Sequence, residues 1–290
     1  MRAIFKKEFL GYFRNMTGYI LLSFFVFVTG LYFSRINIDS GLLDYQYVLS
    51  AISMLFLIII PLLTMNLFSQ EKRNKTDQLL FTAPISISKI TLGKYFASLS
   101  LLLIGLLITF IFPGILLFFV ENVNDFAFGR ILISYLGYFL LGGCFIAVGL
   151  FISSLFENPI VVSIVTFGTL FLFYILDGLA EKLPKDKFSC AIFVGFLILC
   201  LCWILYRRIE NFLFVGIFFL VLIGILVSLY FFTPDIFDSG IYKILIWFSL
   251  LSRFNNFSNG ILSLADIFYY LSFIIFCLGI NINMIENERN

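Results

Sequence analysis

Residues 47–120 read YVLSAISMLFLIIIPLLTMNLF (47–68), SQEKRNKTDQLLFTAPISISKITLGK (69–94) and YFASLSLLLIGLLITFIFPGILLFFV (95–120). Two apolar runs enclose a polar island. A bilayer core is crossed by about 20 apolar residues as a helix, with every backbone N–H and C=O satisfied inside the segment. The two runs therefore predict a helical hairpin through a membrane. The island between them carries a charged stretch, Glu71, Lys72, Arg73 and Lys75, and its own apolar cluster, Leu79-Leu80-Phe81. A segment of that kind is a surface for something outside the membrane.

Composition carries the reading to the whole chain. Of 290 residues, 61% are hydrophobic, 12% are charged and 40 are Phe, and the mean hydropathy is +1.07. A soluble domain keeps about a quarter of its residues charged, which excludes that class. The chain is expected to be an all-α polytopic membrane protein with about eight spans. These are Met16–Ser34, Tyr47–Phe68, Tyr95–Val120, Ile131–Phe156, Pro159–Leu176, Phe188–Tyr206, Phe212–Phe232 and Leu262–Ile282. The first is long and lacks a small-x-small cleavage pattern, so it reads as a retained anchor.

Lys and Arg set the orientation. With the N-terminus inside, the cytoplasmic segments hold Arg2, Lys6, Lys7, Arg14, Lys72, Arg73, Lys75, Lys89, Lys94, Arg207, Arg208 and Arg289, twelve of nineteen. Both termini and the polar island are thereby expected in the cytoplasm, in a multi-pass protein of the cytoplasmic (inner) cell membrane.

Before the first span, Ile4, Phe5, Phe9, Tyr12, Phe13 and Met16 recur at helical spacing. This predicts an interfacial amphipathic helix over 1–15, its aromatic residues in the boundary layer and its cations near head groups. Gly137, Gly142, Gly143 and Gly149 run through the fourth expected span, where small residues let helices approach closely. Pro113 and Gly114 interrupt the third. Ile241–Leu251 is apolar but too short to cross and reads as a segment that dips in and returns, or as a ninth partial span.

The missing chemistry is as informative. The chain has no His, which removes the metal ligand or base of several membrane enzymes. The five cysteines lie in or beside apolar runs and read as small hydrophobes. Span interiors lack the ionisable residues of an ion-coupled transporter, and Asp177 and Asp266 lie at boundaries. No G-x-x-x-x-G-K-[ST] occurs, so ATP hydrolysis, if it drives the protein, belongs to a partner. In the island, Thr76 can cap a short helix that Pro84 ends, and Ser86 can cap the next. The residues alone leave a coupling segment and an ordinary solvated loop both open.

The chain resembles a permease subunit of the ABC type-2 exporter family, nearest the branch of gliding-motility-type and copper- or multidrug-associated permeases. The resemblance rests on Pro61-Leu62-Leu63-Thr64-Met65, Glu71-Lys72-Arg73-Asn74, Thr76, Leu79-Leu80, Thr82, Pro84-Ile85-Ser86 and Leu92-Gly93-Lys94. It extends to Gly149–Leu155 with Glu157-Asn158, and to Leu250–Phe254, Gly260, Asp266 and Tyr269-Tyr270. The family usually has an acid where Gln70 and Gln78 stand, and an apolar residue at Asp77.

The resemblance implies one permease domain over 1–290, with a six-span core and an inserted hairpin at 188–232. The segment 69–94 would be the cytoplasmic coupling segment. Contact with a cytoplasmic ABC ATPase would fall on Glu71, Lys72, Arg73, Thr76, Asp77, Gln78, Leu79, Leu80, Phe81 and Pro84. It also implies a second permease copy or paralogue, with ATP and Mg on the ATPase and no cofactor on this chain. No nucleic acid is expected as a partner. The alternative is a non-transporting membrane scaffold that recruits a cytoplasmic protein.

Overall fold

The computed structural model of the chain describes residues 1–76, 85–118, 128–182, 187–209, 216, 218–224 and 240–289. Among these, all regular structure is helical. Two compact units emerge: Met1–Leu172 with Leu250–Asn290, and Phe173–Ser249.

Helix α1 (Arg2–Arg14) ends at Asn15 and Met16, the latter in the left-handed region at φ 56°. A new helix, α2 (Thr17–Phe33), starts there and runs on as a π-helical turn over Ser34–Asp39. Gly18 lies where a Cβ would come 3.1 Å from the Tyr12 carbonyl oxygen, so the close turn between α1 and α2 requires glycine. The second expected span is a broken rod: α3 (Gln46–Ile52), α4 (Phe56–Thr64) and α5 (Ser69–Arg73). Pro61 sits inside α4, where its missing N–H removes one rung of the helical ladder.

The third span begins well before the apolar run. Helix α6 (Ile87–Thr109) takes in the last eight residues of the polar island, because Ile87, Ile90, Thr91 and Lys94 are all buried. It breaks at Phe110, and α7 (Ile111–Leu116) follows. Pro113 cannot donate to the carbonyl of Thr109, so the expected interruption falls there.

Then come α8 (Phe128–Leu155) and α9 (Pro159–Lys182), which belongs to the first unit up to Leu172. Asn158 Oδ1 accepts the Ile160 N–H at 3.0 Å with Pro159 at the first helical position, a well-formed helix start. In the second unit lie α10 (Lys187–Ile209) and α11 (Gly240–Phe248), where Cys190 packs among Ala191, Phe193, Val194 and Leu245. The first unit resumes with α12 (Leu250–Ser258) and α13 (Leu264–Arg289). The expected short segment Ile241–Leu251 covers most of α11, a break at Ser249 and the first two residues of α12.

Among the described residues, six helices are long and apolar enough to cross a membrane: Thr17–Asp39, Gln46–Arg73, Ile87–Leu116, Phe128–Leu155, Pro159–Leu176 and Leu264–Arg289. They match six of the eight expected spans. The sixth expected span coincides with α10, and most of 212–232 lies outside the described residues.

Burial shows which spans form the centre. The most apolar windows of Gln46–Arg73 and Phe128–Leu155 are 67% and 72% buried, against 17–22% for the first, fifth and last. The glycines of α8 explain its position. A Cβ at Gly137 would meet Phe257, at Gly142 Leu102 and Phe56, at Gly143 the Tyr95 hydroxyl, and at Gly149 Thr64. Five side chains from three helices, α4, α6 and α12, thus reach the α8 backbone, as small residues in a span predict. Between them Tyr138 is fully buried against Phe25, Phe56 and Phe254, with its hydroxyl donating to the Ile52 carbonyl at 3.3 Å.

Candidate functional site

Two clusters of buried charged groups form among the described residues of the first unit. At one end α1, α5, the start of α6 and the end of α13 converge. Lys94, on the first turns of α6, is 1% exposed. Its ammonium stands 2.9 Å from Glu8 Oε1 of α1 and 2.9 Å from Glu71 Oε2 of α5. It also donates to the Leu67 carbonyl and lies 5.0 Å from the centre of the Phe68 ring.

Lys7 closes the cluster by donating to Glu71 Oε1 at 2.8 Å. Two cations and two carboxylates balance, which a buried ammonium requires: an unpaired charge there would cost several kcal/mol, or roughly 3–5 when one partner is removed. Burial alone would lower the Lys7 pKa, but the hydrogen bond and charge of Glu71, with the charge of Glu8, raise it above its ordinary value.

Lys72, next in α5, turns the other way and holds both carboxylate oxygens of Glu288 in α13, at 2.8 and 2.7 Å. The N-terminal and C-terminal helices are therefore both tied to the turn and a half of helix that ends the second span. Tyr12 adds a neutral tie, its hydroxyl donating to the Leu63 carbonyl at 2.9 Å and lying 2.9 Å from Ser98 Oγ.

The corner from α4 into α5 is fixed from α8. Ser153 Oγ accepts the N–H groups of Phe68, at 3.1 Å, and of Ser69, at 3.4 Å. These are donors at a helix start that the helix itself cannot satisfy. The Gly149–Leu155 stretch of the resemblance thus contains the group that caps the corner.

Of the expected contact residues, Glu71 and Lys72 are spent on internal ion pairs, while Arg73 and Thr76 are exposed. Asp77, Gln78, Leu79, Leu80, Phe81 and Pro84 lie outside the described residues. Thr76 acts backward: its hydroxyl donates to the Glu71 carbonyl at 3.3 Å and closes the C-terminal end of α5. Ser86 occupies the N-cap position of α6, but its side chain makes no capping bond. Ile4 is buried in the protein and the Tyr12 hydroxyl is bonded inward, so the row Phe5, Phe9, Phe13 and the exposed Met16 remain for the expected boundary layer. Glu8 was not legible as a site residue: its partner is 86 positions away.

The second place is the start of α13. Asp266, 4% exposed, accepts from Arg253 Nη1 and Asn256 Nδ2, each at 2.8 Å. Arg253 lies 3.8 Å from the centre of the Tyr269 ring. This cluster pins α12 to α13 and offers no acid pair for catalysis. No group of His, Cys, Asp and Glu fit to hold a metal occurs among the described residues.

Six helices among the described residues that are long and apolar enough to span, with a charged helical corner at one end, define a polytopic all-α membrane protein. The family model of the ABC-2 family transporter proteins matches residues 32–184, more than half of the chain, and the chain belongs to that family. It is the permease component of a transporter, embedded in a membrane, rather than a catalyst. No curated protein matches the chain.

Proposed function

We propose that the chain is the membrane half of an ATP-driven exporter of the cytoplasmic membrane. It pairs with a second permease subunit, identical or paralogous, and with cytoplasmic ATPases that carry ATP and Mg. The charged end faces the cytoplasm with both termini, and the segment from α5 through Pro84 receives the push of the ATPases.

The observation that carries this reading is the division of labour in α5. Glu71 and Lys72 are locked inward onto α6, α1 and α13, while Arg73, Asn74, Lys75 and Thr76 are exposed on the same short helix and its end. A force applied to the exposed residues reaches three other helices through ion pairs of under 3 Å. A lever needs that combination: an outer face for the partner and an inner face tied to the moving parts. A solvated loop has no use for a buried ammonium.

The test is a mild-detergent pull-down of the tagged chain from its native membrane, followed by mass spectrometry. A P-loop ATPase in near-equal amount is the expected result. Recovery of none in several detergents, or of a soluble protein without a P-loop, overturns the reading in favour of a recruiting scaffold.

A further inference from the structure

Beside the buried ion cluster, α1 and the α4–α5 corner enclose a polar cavity of about 460 Å³, within the usual range of small-ligand sites. Four exposed carboxamides line it: Asn15, Asn66, Gln70 and Asn74. Of its charged groups, Lys7, Glu8 and Glu71 are neutralised among themselves and with Lys94. Arg14 is different. It is exposed on the cavity wall and, among the described residues, meets no opposite charge. The cavity thus holds one uncompensated cation among groups that donate hydrogen bonds, which is a receptor for an anion.

Its position says which anion. Arg14 and Asn15 lie three and two residues before Thr17, the first residue of the first span, and Asn66 follows the apolar part of the second. A smaller cavity of about 80 Å³ shares Asn15, Asn66 and Gln70 with the first and continues to Leu62 and Leu63. The second cavity thus adds the aliphatic side chains of Leu62 and Leu63 to the polar lining at the level where spans begin, a pairing that suits an amphiphile and that a free ion does not need. Next along the chain from Asn15, Met16, Tyr19 and Ile20 are exposed by 59–69%, an apolar surface fit for acyl chains at the bilayer edge.

We infer that the cavity between α1 and the α4–α5 corner binds the phosphate of an anionic phospholipid headgroup, with Arg14 as its counter-ion and Asn15 and Asn66 as hydrogen-bond donors. The lipid belongs to the leaflet on the side of the charged end. It joins the α1–α2 turn to the corner that α5 extends.

The test is native mass spectrometry of the delipidated full chain titrated with phosphatidylglycerol, phosphatidylcholine, inorganic phosphate or a poly-glutamate peptide. Phosphatidylglycerol is expected to bind more tightly than phosphatidylcholine. Arg14→Gln should weaken it on the order of tenfold, the worth of a charge-assisted hydrogen bond. Asn66→Asp, which sets a negative charge opposite the phosphate, should weaken it too, and Arg73→Gln, off the cavity, should leave it unchanged. Equal retention of the two lipids, indifference to Arg14→Gln and Asn66→Asp, or capture of phosphate or peptide in place of lipid overturns the assignment.

Discussion

The Lys94 ammonium and the Glu71 carboxylate stand 2.9 Å apart with the lysine 1% exposed, joining the start of the third span to the helix that ends the second. Replacing Lys94 by Met would leave Glu8 and Glu71 facing each other with only the exposed Lys7 to balance them. Breaking a buried pair from one side costs about 3–5 kcal/mol. Lys94→Met is therefore expected to lower the unfolding midpoint of the purified protein sharply. The triple variant Lys94→Met, Glu71→Gln, Glu8→Gln should recover much of the loss, because an apolar or neutral set removes the stranded charge. A triple variant no more stable than the single one would show that the cluster is not held as described.

Lys72 and Glu288 give a different balance. Their side chains are 14% and 39% exposed, and a pair so open to water contributes at most about 1 kcal/mol. Lys72→Glu forfeits that pair and sets a second carboxylate against Glu288, so thermal stability should fall modestly, by about 1–2 kcal/mol. Its expected effect is on coupling, since it parts α5 from α13: transport or ATP turnover of the assembled complex falls, and Glu288→Lys in the same chain restores it. Full activity in Lys72→Glu alone would remove α13 from the transmission path.

Lys7 supplies a pH dependence with a definite sign. Its pKa is raised above 10.5 through Glu71, so its stabilising contribution is fully present below that value and is lost as pH rises through the raised one. Unfolding midpoints should stay flat from neutral pH to about 10 on account of this pair and fall above it. Lys7→Met should remove its share of the fall. A midpoint that already declines between pH 7 and 9, and does so through Lys7, contradicts the pairing.

How much of this was legible in the chain follows from the range of each interaction. Spans were legible, because a run such as Ile131–Phe156 must bury its own backbone whatever surrounds it. So was the contact role of Gly137, Gly142, Gly143 and Gly149, since a missing side chain has one obvious use between helices. Lys94 was not. Counted along the chain it is one more basic residue of a polar island, and only the approach of Glu8, 86 positions earlier, turns it inward. Lys72 shows the same limit: a surface lysine by its neighbours, it is claimed by a carboxylate 216 positions away. The charges that assemble the site are set by tertiary pairing, which no local period encodes.

Gly149 and Ser153 lie one helical turn apart on α8 and together fix the corner below α4. Gly149 makes room for Thr64, which is fully buried and cannot swing aside because its hydroxyl donates to the Ile60 carbonyl at 2.9 Å. Gly149→Ala is therefore expected to force α4 away from α8, at a cost of about 1–3 kcal/mol. Adding Thr64→Ala should recover most of it, while Gly168→Ala, with open space around its position, should cost nothing. Ser153→Ala tests the other half. It leaves the Phe68 and Ser69 N–H groups without their acceptor, a loss of about 1–3 kcal/mol. It should also speed hydrogen exchange at those two amides while the amides of α13 keep their protection. Unchanged exchange at Phe68 and Ser69 would mean that the corner is held by α4 and α5 alone, and that the serine of the Gly149–Leu155 stretch serves something else.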